Sequence, residues 1–87
     1  MYVILVYDFG EKRVNKMLKL CRRYLNWIQN SVFEGEISEA RLKELLMQSD
    51  KFMKKSEDSI IIFRGSSQTS MEKQIVGKER ASIDIFL

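Results

Sequence analysis

Residues 2 to 7, Tyr2-Val3-Ile4-Leu5-Val6-Tyr7, are an unbroken apolar and aromatic run rich in β-branched side chains. Bounded by Asp8 and Gly10, the run is too short for a typical helix and reads as a central strand buried on both faces. Asp8 ends it. A carboxylate at the carboxyl end of a buried strand stands where open α/β sheets place their ligands. As a purely structural residue it would be a turn former or a cap for the next helix, and position alone leaves both readings open.

The 87 residues make one domain, 1–87, large enough for a single core but small enough that association through a sheet edge would add stability. The single Cys21 has no partner for an internal disulfide. The absence of His removes the commonest metal ligand and general base, which excludes a Cys/His zinc site. No window reaches the ~18 apolar residues of a membrane span, and the chain starts in a strand rather than a basic segment followed by an apolar one. The expectation is a cytoplasmic protein with no membrane attachment.

The net charge of +3 is unevenly distributed. Residues 11–23 hold Lys12, Arg13, Lys16, Lys19, Arg22 and Arg23 against Glu11 alone, while the segments on either side are each slightly acidic. The same stretch carries Val14, Met17, Leu18, Cys21 and Leu25 at i, i+3, i+4, i+7 and i+11, which predicts a helix over about 11–25 packed on the first strand. Lys12, Lys16, Lys19 and Arg23 follow that spacing on the opposite side, with Arg13 and Arg22 flanking. At 1.5 Å per residue the row is about 17 Å long. A charge run on a helix is most often a solvated face. A row of this length also suits several phosphates of a duplex backbone, in contacts that would be salt-dependent and largely independent of base sequence.

Residues 27–37 have strand composition interrupted by polar residues and Gly35, and read as a short and a longer strand joined near Asn30-Ser31, or as one bent strand. Ser38 as N-cap, Glu39 in the first turn and the apolar Leu42, Leu45, Leu46 and Met53 predict a second helix ending near Lys54-Lys55. Ser59 to Arg64 is a second buried strand, 65–70 a polar loop, and Lys73 to Val76 a short strand before Gly77. Ser82 to Leu87 alternates as a further strand that must pair at an edge, its own or a partner's. Two helices on one face of a mainly antiparallel sheet make an α+β, ferredoxin-like sandwich (β-α-β-β-α-β) with an extra C-terminal strand. That fold hosts many functions. Against an RNA-recognition module, the Lys/Arg-Gly-Phe-Gly-Phe type of aromatic pattern is absent. Against a small-molecule regulatory domain, Phe9-Gly10-Glu11-Lys12 offers a single glycine.

Tyr7-Asp8 closing the first strand, Arg13 opening a basic helix, Ile28-Gln29-Asn30-Ser31-Val32-Phe33-Glu34-Gly35 and the later Gln74-Ile75-Val76-Gly77 resemble the CRISPR-associated protein two family, the small partner of the CRISPR adaptation integrase. The resemblance spans the whole chain, and the Gln-Asn-Ser-Val-Phe-Glu stretch is its most specific part. It implies a ferredoxin-like fold and a homodimer in which residues 82–87 cross onto the partner's sheet. It also implies a CRISPR adaptation (spacer acquisition) role, as a scaffold that joins subunits of the integrase, CRISPR-associated protein one, and binds duplex DNA. The alternative it implies is a metal-dependent endonuclease acting on RNA or double-stranded DNA. In that role Asp8 would be catalytic and metal-binding, and Tyr7, Arg13 and Phe33 would support activity. Asn15 and Trp27 depart from the family, standing where some nuclease-active relatives carry arginines. Divalent-metal nucleases work best with several carboxylates. Each chain offers Asp8, so two chains could bridge one Mg²⁺ whose remaining positions take water and phosphate.

Overall fold

A computed structural model of the chain describes residues 1–67 and 70–78. The elements run β1 (Tyr2–Asp8), α1 (Val14–Arg22), β2 (Asn26–Gln29), β3 (Val32–Glu36), α2 (Glu39–Asp50), β4 (Ser59–Ser67) and β5 (Ser70–Gly77). They form one antiparallel sheet of order β2-β3-β1-β4-β5. The first four strands and two helices are the expected ferredoxin-like sandwich, and β5 extends it as a hairpin beside β4. The expected strand at 82–87 lies outside the described residues.

The apolar run takes the central position for a plain reason: every backbone group of β1 can then pair, with β3 on one side and β4 on the other. Val3, Leu5 and Tyr7 point to the helices and join Phe33, Ile60 and Ile62 from the neighbouring strands in one core. Met17, Leu20 and Cys21 of α1 and Leu42 and Leu45 of α2 close that core from above. Tyr2, Ile4 and Val6 alternate to the other face and are only half-buried. The expectation of burial on both faces therefore holds for one face within a single chain, because both helices pack on the same side.

Three boundaries differ from the sequence reading, while of its two readings of 27–37 the pair of strands holds. The helix expected from residue 11 starts at Val14, because residues 11–13 form a turn in which the Arg13 and Val14 N–H groups both donate to the Gly10 carbonyl. Residues 27–37 are two strands, and Asn30 supplies the turn with φ 45°, a left-handed conformation that asparagine tolerates. The second helix has the expected Ser38 cap, whose Oγ accepts from the Arg41 N–H at 3.1 Å, but it ends at Asp50 rather than near Lys54. There the Lys54 N–H leaves the helical pattern and donates to the Asp58 carboxylate at 2.8 Å. Finally, β4 and β5 keep pairing through most of the stretch expected as a loop, with a register shift between Arg64 and Ser67.

Candidate metal and nucleic-acid site

Asp8 is the last residue of β1, and alternation puts it on the same face as Tyr2, Ile4 and Val6, exposed and opposite Ser59 of β4. One residue on, Phe9 turns into the core, with its ring edge-on to Tyr7 at 5.8 Å between centroids. The chain is then caught again at Gly10, whose N–H donates to Asp58 Oδ1 at 2.8 Å. The carboxylate of interest thus sits on a three-residue segment tethered at both ends.

Asp58 was missed by the sequence reading. It is fully buried, and its carboxylate accepts from Arg13 Nε (2.5 Å), Arg13 Nη2 (2.9 Å), the Gly10 N–H and the Lys54 N–H. Burial pushes its acidity down, but these donors win and hold its pKa at about 2, below the ordinary 3.8. Only one local hint was present: an aspartate immediately before an apolar strand is an odd place for a charge. Its partners are up to 48 positions away and carry no sequence signal.

Tyr7 and Phe33, both expected near the chemistry, lie in the core. Phe33 has no exposed surface, and its ring stacks on Tyr7 at 6.1 Å. Burial, then the neighbouring Cys21, raises the pKa of the Tyr7 phenol. Neither side chain stands beside Asp8 at the surface. They shape the strand that carries it.

The cations divide into two groups. Arg13 sits before α1 as its N-cap residue and turns its guanidinium onto Asp58 and onto Glu57 (3.3 Å), away from the row it was expected to flank. Lys12 is exposed on the same turn, while Lys16, Lys19, Arg22 and Arg23 are exposed along α1 and just beyond it. Lys16 to Arg23 span about 10 Å, shorter than the 17 Å expected when Lys12 was counted on the helix. Their side chains lie near aromatic rings: Lys16 over Phe52, Arg22 over Trp27 and Arg23 over Tyr24, each at 5.9 Å. Between α1 and the end of α2 runs an open groove of about 300 Å³, lined by Lys16, Lys19, Leu20, Arg23, Lys51 and Phe52. Lys51 was hidden in sequence because the second helix reads as mixed in charge.

Among the described residues no cluster of three or more acidic or cysteine side chains could hold a metal within one chain. Asp8 fits a hard divalent ion as an exposed oxygen ligand, so a complete site would need further ligands from a second chain or from solvent. No helix among the described residues is long and apolar enough to cross a membrane.

Residues 1–73 match the family model described as CRISPR associated protein Cas2. The chain belongs to the Cas2 family. It is 45% identical over 80 residues to the CRISPR-associated endoribonuclease Cas2 of Dictyoglomus turgidum, covering 92% of each chain. It is 43% identical over 79 residues to CRISPR-associated endoribonuclease Cas2 2 of Archaeoglobus fulgidus, covering 91% of this chain and 86% of the relative. A Cas2 crystal structure superposes with a TM-score of 0.74 at 42% identity, over 97% of this chain and 94% of that one. The Cas2 of Streptococcus pyogenes, crystallised at pH 6.5, gives 0.70 at 27% identity, over 78% and 89%. The Cas2 assignment thus rests on both sequence and fold, in agreement with the resemblance carried by residues 28–35.

Proposed function

We propose that this Cas2-family chain acts in CRISPR adaptation as a dimeric subunit that binds duplex DNA and joins subunits of the integrase. The observation that carries this reading is the uneven neutralisation of charge. Arg13, Arg41, Lys54, Lys55 and Arg64 each pair with a carboxylate, whereas among the described residues Lys12, Lys16, Lys19, Arg22, Arg23, Lys43, Lys51 and Lys78 make no ion pair. Four of these, Lys16, Lys19, Arg23 and Lys51, line the groove between α1 and the end of α2; cations gathered there without acidic partners suit a polyanion, and phosphate contacts of this kind release counterions. The decisive experiment is spacer insertion reconstituted with the integrase, alongside the salt dependence of duplex binding. Impaired insertion with a salt slope lower by roughly two in a Lys16→Ala, Lys19→Ala variant that stays folded supports the reading. An unchanged salt slope refutes it.

The dimer is supported by the open side of the sheet. Tyr2, Ile4 and Val6 of β1, Val32 of β3 and Ile61 and Phe63 of β4 are half-buried on the face opposite to the one on which both helices of the described residues pack. A second copy seated there would bury these side chains and, because Asp8 shares the face, bring two Asp8 carboxylates towards the two-fold axis.

That geometry also favours a second reading, a metal-dependent endonuclease, in line with the endoribonuclease names of the relatives. Two facing carboxylates repel unless a cation sits between them. A divalent ion held there would activate water and offset charge on the scissile phosphate. Mg²⁺ fits the oxygen ligands best. The chain's own part is to hold Asp8 in place and, through α1, to bind the backbone. Asp8→Asn should abolish metal-dependent cleavage while leaving the fold, the dimer and spacer insertion near wild-type. Loss of insertion in that variant, with dimerisation and integrase binding intact, would place the nuclease first.

A further inference from the structure

Asp58 lies beside the site without reaching the surface. Its carboxylate ties together three segments: the turn after β1 through the Gly10 N–H, the entry to α1 through Arg13, and the end of the α2 loop through the Lys54 N–H. Its own N–H donates to the Lys54 carbonyl at 2.7 Å, and its carbonyl accepts from the Lys78 N–H at 3.1 Å, so the residue cannot shift without disturbing β5 as well. The next residue, Ser59, is the one that pairs with Asp8 across the sheet. Asp8 is therefore held by two adjacent residues, by Ser59, the first of β4, at its own position and by Asp58, just before β4, at Gly10 two residues later.

We propose that Asp58 is the positioning residue for Asp8, and that Arg13 serves it: the guanidinium completes the clamp on the turn after β1 instead of touching nucleic acid. The geometry of the pair supports this division. Arg13 presents Nε and Nη2 to the two oxygens of Asp58, a bidentate fit that uses the face of the guanidinium best suited to a phosphate. Its remaining contact goes to Glu57, so approach of a phosphate would meet two carboxylates already in place. The packing at the turn is close: a Cβ at Gly10 would displace the Arg13 guanidinium from the place where it holds Asp58. With the clamp intact, the backbone at Phe9 and Gly10 has one conformation and the Asp8 carboxylate a fixed origin. This rests on the reading of Asp8 as the metal-binding carboxylate.

The test compares wild type with Asp58→Asn, Arg13→Lys, Arg13→Ala and Lys16→Ala. Each is measured by amide hydrogen exchange at Gly10, by Mn²⁺-induced broadening of the Phe9 and Gly10 amide signals, and by the salt slope of duplex binding. Asp58→Asn should speed Gly10 exchange at least tenfold and raise the Mn²⁺ concentration for half-maximal broadening about tenfold, with the salt slope unchanged. Arg13→Ala should do the same, and Arg13→Lys, which keeps the charge but not the fork, should fall between it and wild type. Only Lys16→Ala should lower the salt slope, by roughly one. An Arg13→Ala variant with a slope reduced by one and an unchanged Mn²⁺ response would make Arg13 a phosphate contact and overturn the proposal. So would Gly10 exchange as fast in wild type as in Asp58→Asn. Should wild type show no Mn²⁺ response at all, the metal reading of Asp8 fails separately, and Gly10 exchange with the Arg13→Ala salt slope still decides the clamp. Arg13→Lys, the mildest change, keeps the comparison valid if Asp58→Asn fails to fold.

Discussion

On β1 the side chains that alternate inward, Val3, Leu5 and Tyr7, are sealed beneath the helices, whereas Tyr2, Ile4 and Val6 alternate outward, half-buried, and lead to Asp8. The same six-residue run thus serves two purposes that would conflict on a single face. The inner face supplies stability through close packing, where one missing methylene is felt. On the proposed reading the outer face serves assembly and chemistry, with apolar side chains and a carboxylate side by side for a second copy to complete. Substitutions should therefore separate cleanly by face.

The largest effect is expected on the inner face. Phe33→Ala removes a ring with no exposed surface from between Tyr7 and the helices, and should cost about 4 kcal/mol in urea or thermal unfolding. Next is the buried ion pair at the edge of that core. Asp58→Ala strands the half-buried Arg13 and frees the Gly10 and Lys54 N–H groups, for a loss of about 3 kcal/mol. The same group sets an acid limit. Because the folded carboxylate titrates at about 2 rather than 3.8, its stabilisation is complete at neutral pH and is lost as pH falls below the ordinary value and through about 2. Melting measured between pH 5 and pH 2 should steepen there in wild type, and much less in Arg13→Ala.

The outer face should respond differently. Ile61→Glu, opposite Val6 on β4, is expected to change the stability of the isolated subunit by no more than about 1 kcal/mol. In sedimentation it should shift the protein from dimer to monomer at micromolar concentration. A dimer that survives this change would mean that the open face is not the interface, and the two-face contrast would lose its functional half. The smallest effect on stability belongs to α1. Lys16→Ala with Lys19→Ala should leave unfolding within about 0.5 kcal/mol of wild type. It should also reduce the salt slope of duplex binding by roughly two.

Much of this arrangement is legible from sequence where it depends on near neighbours. The apolar run at 2–7, the stripe Met17-Cys21 and the cap Ser38 are periodic or positional signals, and each gives the element found. The open face was not legible, because alternation cannot say whether cover comes from the same chain or from another. Nor was the Asp58 clamp. Arg13 looks like one more cation in a basic stretch, and only the fold brings it to a carboxylate 45 positions away. Expecting Arg13 and Lys12 on the helix had the same origin, since a periodic pattern cannot see that the Gly10 carbonyl takes the Arg13 and Val14 N–H groups into a turn. Tyr7 and Phe33 were placed near the chemistry by resemblance, and the structure turns both into the core, Tyr7 from β1 and Phe33 from the neighbouring β3, on the side away from Asp8.

The central place of β1 also has a consequence for biosynthesis. Tyr2 pairs with Gly65, so roughly 60 residues must be translated before β4 can close the second edge of β1. At about 5 to 20 residues per second, that leaves an apolar strand with one open edge for several seconds on the ribosome. The β2–β3 hairpin reaches β1 about 30 residues earlier and can occupy the other edge. A nascent chain stalled between β3 and β4 would present a half-finished sheet to its neighbours, and that interval is when this small protein is most exposed to aggregation or to a chaperone.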